Sequence, residues 1–147
     1  MGEKLEIISK VYLSLFHNTL TQIDPFGLRC SAKQLRQNRI NGKKAEQLIL
    51  DRLNKNPNVT VLGQQVYVKT KVGGRFVDIL IRNNKGQMVA VEVKAGNATR
   101  SASQLAKDRL ISQGNGMFGN SAPSNLAGQS TTGVIISEAR VPLWRIP

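Results

Sequence analysis

The sequence predicts an α/β fold with a mixed central β-sheet flanked by helices. Three observations carry this: helical apolar spacing at residues 43–54, three strand-like runs between 59 and 95, and a second helical spacing at 101–113 followed by a short apolar strand. Segments that switch between the two periods bury their apolar sides by packing helices on a sheet. A chain of 147 residues suits one domain with a sizeable core.

Residues 4–16 (KLEIISKVYLSLF) are apolar-rich and suit a short helix or a strand. Asp24-Pro25-Phe26-Gly27 reads as a turn, because proline fixes φ and glycine admits a positive one. The basic run from Cys30 to Asn41 is either a loop or a surface helix. Ala45, Leu48, Ile49 and Leu53 then recur at helical spacing, which predicts a helix over 43–54, ended by Asn56-Pro57-Asn58. Val59, Val61, Val66 and Val68 mark a strand over 59–69, and Gly73-Gly74 marks a turn. Residues 75–82 (RFVDILIR) and 87–95 (QMVAVEVKA) form two further strands, joined as a hairpin by Asn83-Asn84-Lys85-Gly86. Ala102, Leu105, Ala106 and Leu110 restore helical spacing. The Gly-, Asn- and Ser-rich stretch 114–131 reads as a mobile loop, 132–137 as a strand, and the tail RVPLWRIP has no clear place.

The charge is unbalanced. Lys and Arg number 21 against nine Asp and Glu, and the whole excess of +12 falls within residues 29–109, which hold 17 bases and five acids. A solubilising surface mixes both signs, so such an excess points to a polyanion. The basic stretch 29–45 offers too little apolar area for an interfacial helix, and no 18-residue apolar run spans a membrane. Glu3 and Glu6 stand where a signal peptide carries bases and an apolar run. One cysteine, Cys30, and one histidine, His17, close disulfide, zinc-knuckle and most His/Cys metal chemistry. The chemistry falls to carboxylates and lysines.

Asp78 sits in an apolar strand, where a carboxylate is costly unless paired or bound to a cation. Glu92 and Lys94 stand two apart, so they share one face of their strand while Val91, Val93 and Ala95 share the other. The hairpin lays these two strands side by side, so that Asp78 and Glu92 converge with an ammonium beside them. Two such carboxylates suit Mg2+ or Mn2+, which can polarise a phosphoryl oxygen and activate water, with Lys94 orienting that water. Glu46, on the helix after Lys43 and Lys44, is placed to complete the set. Gln104 faces the site from the later helix or closes a capping box with Ser101. Lys43, Lys44, Lys71, Arg75 and Lys107 are the candidate phosphate contacts.

Glu46, Asp78, Glu92-Val93-Lys94 and Gln104, in that order on helix, strand, strand and helix, resemble the PD-(D/E)xK nuclease superfamily over residues 42–111. The proline of the motif is missing, Val77 standing before Asp78. The resemblance implies a PD-(D/E)xK nuclease-like core in which Glu46, Asp78 and Glu92 bind magnesium or manganese, Lys94 assists the nucleophilic water and Gln104 joins the site.

Thr21 to Leu28 (TQIDPFGL) resembles the DPxGL motif that ends the core of Rhs repeat proteins, where autoproteolysis releases a variable C-terminal toxin. This implies a carrier remnant over 1–28 and a toxin domain over 29–147. It also implies a delivered effector acting in the target-cell cytoplasm, monomeric and held inactive in the producer by a cognate acidic immunity protein. The substrate expected is DNA, since the seven aromatics form no interleaved stacking platform in the sequence. A tRNA-cleaving RNase on the same fold and a basic nucleic-acid-binding module without catalysis are the alternatives.

Overall fold

The structure, a computed structural model, describes residues 31–147. The expected element at 4–16, the Asp24–Gly27 turn and the carrier boundary after Leu28 lie outside the described residues. The chain divides into a unit over 1–40 and a compact unit over 41–147. In the first, the described residues are an exposed helical stretch.

Helix α1 spans Ala32–Lys55, so the basic run with two open readings is helical. Ser31 starts it, its Oγ accepting the Gln34 N–H at 3.1 Å. Residues 32–40 are all exposed, so strong helix formers (Ala, Lys, Gln, Leu, Arg), the cap and a Gln34–Asn38 side-chain bond at 2.9 Å sustain this part. Burial begins with Ala45 and Ile49. Asn56 ends the helix with an Asx turn, its Oδ1 accepting from Asn58 N–H.

Strands β1 (Val59–Thr70), β2 (Gly73–Asn83) and β3 (Met88–Ala95) follow, then helix α2 (Ala102–Ser112), β4 (Gly116–Phe118), β5 (Ile135–Val141) and a 3-10 turn at Leu143–Arg145. The sheet order is β4-β1-β2-β3-β5. β1–β2, β2–β3 and β1–β4 are antiparallel and β3–β5 is parallel, so the sheet is mixed. The expected hairpin forms: Asn83 Oδ1 accepts from Lys85 and Gln87 N–H, and Gly86 supplies the positive φ of 79°. Ala45 and Ile49 of α1 pack with Ile79, Ile81, Val91 and Val141 on one face of the sheet. Ile111 of α2 packs with Val66, Val68, Val77, Leu80, Ala90 and Phe118 on the other.

Two expectations near the C-terminus need correction. The stretch 114–131 is loop over 119–129 as expected, but it also contributes β4 and forms a packed cover, with Phe118, Ala122 and Leu126 buried in the core on the α2 side. Thr131 fastens it, its hydroxyl donating to the Ile111 carbonyl at 2.9 Å and accepting from Gly116 N–H at 3.0 Å. Sparse apolar residues anchor a Gly-rich segment when each meets a core position. The last strand lies at Ile135–Val141 rather than 132–137, because parallel pairing with β3 runs from Val89↔Ile135 to Ala95↔Val141. No helix among the described residues is long and apolar enough to cross a membrane.

Phe118→Ala should cost about 3–5 kcal/mol in urea unfolding, as for a large core truncation. A loss below about 1 kcal/mol would mean that residues 114–131 only lie against the surface.

Candidate active site where two strands part

The site arises from an irregularity in the sheet. Val77 packs in the α2-side core and Ile79 in the α1-side core, although side chains two apart on a regular strand share a face. The phase of β2 therefore slips at Asp78. Opposite it, the register pairs Gln64 with Ile79 and Val66 with Val77 and passes over Gln65, which has a φ of 48°. The register shift of the β1–β2 pair lies just before, between Val61 and Gly63, and such irregularities bend a strand and re-aim side chains, often beside active sites. Pairing of β2 with β3 stops at Ile79↔Val91. Just beyond, the Asp78 Oδ2 accepts the Val93 N–H at 2.8 Å, so a side chain replaces the ladder and the strands part.

Three of the expected acids gather at this parting. Gln65 Nε2 donates to both Glu46 oxygens, at 3.0 and 3.2 Å, and reaches Asp78 Oδ1 at 3.4 Å. Glu92 is buried on the α2 side. Its Oε2 lies 2.6 Å from Arg75 Nη2 and its Oε1 lies 3.1 Å from Lys94 Nζ. Glu92 and Lys94 thus share a face as expected, while Val91, Val93 and Ala95 pack on the other. Burial, with the nearby Glu46 charge adding to it, raises the Asp78 pKa against the pull of Val93 N–H, Arg75 and Lys94. Burial, then the Asp78 charge, raises that of Glu92 against Arg75 and Lys94. Both carboxyls bind protons more tightly in the folded chain, so their stabilising contribution falls as pH rises from the ordinary carboxylate range through the raised values.

The other expected residues scatter. Arg75 is not on a phosphate-facing surface. It is 8% exposed, and its guanidinium joins Glu92 to Asp108 of α2, Nε lying 2.9 Å from Asp108 Oδ1. Arg100 meets the other Asp108 oxygen at 3.0 Å and approaches Glu138 at 3.6 Å. This pull turns α2 so that Asp108 and Ile111 are its buried residues and Leu105, expected on the apolar side, is 43% exposed. Gln104 closes the capping box, its Oε1 accepting from Ser101 N–H at 3.0 Å. Lys43, Lys44 and Lys71 are exposed, Lys44 donating to the Pro147 carbonyl at 2.6 Å. Lys107 is half-buried, its amine lying over Gly73 at the β1–β2 turn.

Gln65, Asp108 and Arg100 were missed by sequence reasoning. Gln65 had no signal: Val59 and Val61 pack on the α1 side and Val66 and Val68 on the α2 side, as plain alternation allows, so the valine spacing does not announce the irregularity. Asp108 had none, since an acid on a helix reads as surface.

Among the described residues, no three His, Cys, Asp or Glu side chains form a cluster ready to hold a metal ion. The donor chemistry still fits a hard divalent ion, because all three acids offer oxygen. Moreover, the partly positive Gln65 amide already draws three carboxylate oxygens of Glu46 and Asp78 around one nitrogen. Glu92 differs, with both oxygens engaged by cations of the chain itself. Comparison with protein-family models, curated proteins and solved structures returned no match.

Arg75→Met should destabilise the fold by about 3–5 kcal/mol in urea, as expected when a buried ion pair loses one partner. Lys71→Ala should change stability by less than about 0.5 kcal/mol. Equal small effects would return Arg75 to the surface set. Asp78→Asn keeps an acceptor for Val93 N–H and removes the crowded charge. In EDTA at pH 7.5 it should raise Tm by roughly 2–4 °C, the shift about 1 kcal/mol gives in a chain of this size, and an equal or lower Tm would remove the charge crowding.

Proposed function

We propose that the chain is a divalent-metal-dependent endonuclease that hydrolyses phosphodiester bonds of DNA, on a core of the PD-(D/E)xK type. The observation that carries the reading is the gathering of Glu46 and Asp78 oxygens on one donor, beside the Glu92–Lys94 pair, in a chain of net charge +12. Carboxylates alone would repel a phosphodiester, so their presence within a basic domain calls for a cation among them.

Glu46 and Asp78 would hold Mg2+ or Mn2+, with Glu92 as third carboxylate. The bound ion supplies Lewis acidity toward a phosphoryl oxygen and lowers the pKa of water. The rest falls to the chain's own side chains. The Lys94 ammonium donates a hydrogen bond to the attacking water or a non-bridging phosphate oxygen, its place held by the 3.1 Å pair with Glu92. Arg75 fixes Glu92 from within and acts on the reaction only through it. The exposed Lys43, Lys44 and Lys71 contact flanking phosphates, each as a screened point charge. Gln104 serves the helix cap rather than the reaction.

In this reading the basic α1 surface receives the nucleic-acid backbone, and an acidic immunity protein in the producing cell competes for it. Release from an Rhs-like carrier would account for TQIDPFGL ahead of the basic domain.

Plasmid DNA incubated with purified protein should be cut with Mg2+ or Mn2+ and spared in EDTA. Glu46→Gln, Asp78→Asn and Lys94→Ala should each lower the rate by at least about a hundredfold, with circular dichroism unchanged. Absence of cleavage of both DNA and tRNA with either metal would overturn the reading, and cutting of tRNA alone would make the chain an RNase. Acidification should extinguish activity above the ordinary carboxylate pKa values, because the Asp78 and Glu92 pKa values are raised and protons compete with metal there.

A further inference from the structure

The strand pair that carries the site also carries an aromatic pair, half-buried Tyr67 and exposed Phe76. Phe76 stands two residues before Asp78 and is 53% exposed, although its neighbours Arg75 and Val77 are buried. Its ring meets Tyr67 of β1 with centroids 5.1 Å apart and planes tilted by 59°. Val66 and Val68 point into the α2-side core, so Tyr67 lies on the opposite face, the one where Gln65 meets Glu46 of α1.

The pair is held in place. Tyr67 donates its N–H to Ser121 Oγ and accepts at its carbonyl from Gly119 N–H. Its ring lies so close on Gly74 and Gly119 that a Cβ at either would collide with it. The Phe76 carbonyl accepts from the buried Arg75 Nη1 at 3.1 Å. The platform is thus fastened to the guanidinium that holds Glu92. Lys69, exposed on the strand two residues past Tyr67, and Lys71, exposed in the turn, add positive charge at its far side.

We propose that Tyr67 and Phe76 form a stacking platform for an unpaired nucleobase next to the phosphate at the carboxylates, so that the substrate is single-stranded or locally unpaired there. The inference rests on the nuclease reading and narrows its substrate. Phe76 lies about 7 Å along the strand from Asp78, so a base on its ring belongs to a nucleotide adjoining the reacting phosphate. Bases of an intact duplex are stacked on one another and offer no ring face. Lysines beside the rings suit the backbone of the same strand, whereas an apolar protein partner would gain nothing from them.

Fluorescence anisotropy with the full chain in EDTA tests this apart from catalysis. The probes are labelled dT12, U12 and a dA12·dT12 duplex. Phe76→Ala should weaken dT12 or U12 binding by about tenfold or more, the worth of one stacked base, and change duplex binding less than about twofold. Phe76→Trp should restore single-strand affinity, which a merely structural role would not predict. A loss on dT12 alone marks an unpaired DNA strand, and a loss on U12 as well marks a platform indifferent to the sugar. Equal losses on single strand and duplex, or none on either, would overturn the platform. If the platform result holds but no metal produces cleavage, the nuclease reading fails and the binding site stands. If a metal produces cleavage but Phe76→Ala leaves single-strand binding unchanged, the nuclease reading stands and the platform fails.

Discussion

The site depends on one buried guanidinium. Arg75 leaves β2 where its pairing with β3 has ended, and ties Glu92 of β3 to Asp108 of α2 in a space with little water. A lone charge there would be prohibitive, and so would either acid without its partner. Each therefore requires the others. The network continues through Arg100 to Glu138 and Arg140, so the parallel strand β5 is joined to the same set. Asp108 draws α2 onto the sheet through a charged residue rather than through its leucines. The position of the second helix follows from electrostatics as much as from apolar burial.

Beside this charge-balanced network lies a group of carboxylates whose donors are all neutral or shared. Glu46, Asp78 and Glu92 are three of nine acids in a chain with 21 bases, yet they stand near enough to raise the proton affinity of Asp78 and Glu92. Of these, Glu92 has its cations already, and Glu46 and Asp78 share only the neutral Gln65 amide. The change of face at Asp78 and the positive φ at Gln65 add local cost. Crowded charge and backbone strain at one spot are what a chain optimised for stability alone would remove. Both fall together at the parting of two strands, the spot on which the proposed metal site rests.

Legibility differed sharply between neighbouring residues. Glu92 and Lys94 were readable because period-two geometry is local: two residues apart on a strand is one face, whatever packs on it. The hairpin at Asn83–Gly86 was readable for the same reason, being determined by its own side-chain and backbone bonds. Arg75 was misread because a basic residue in a basic chain reads as surface. Only Glu92 and Asp108, 17 and 33 positions later, make its burial tolerable. Phe76 belongs to the apolar run around Asp78 and is nonetheless exposed, on the face opposite Arg75 and Val77. Gly-rich 114–131 was read from composition, which says nothing about where Phe118 and Leu126 land.

From the chain alone, then, come the helix–sheet order, the three central strands, the shared face of Glu92 and Lys94, and a basic domain holding a few conspicuous acids. These follow from periodicity, turn chemistry and charge, which act over a few residues. The tertiary structure alone decided that Arg75 is internal, that Gln65 gathers Glu46 and Asp78, and that Tyr67 meets Phe76. Each of these depends on a partner distant in sequence or on a phase slip in a strand. In both cases the free energy is set by what surrounds the side chain in space rather than by the residues beside it in the chain.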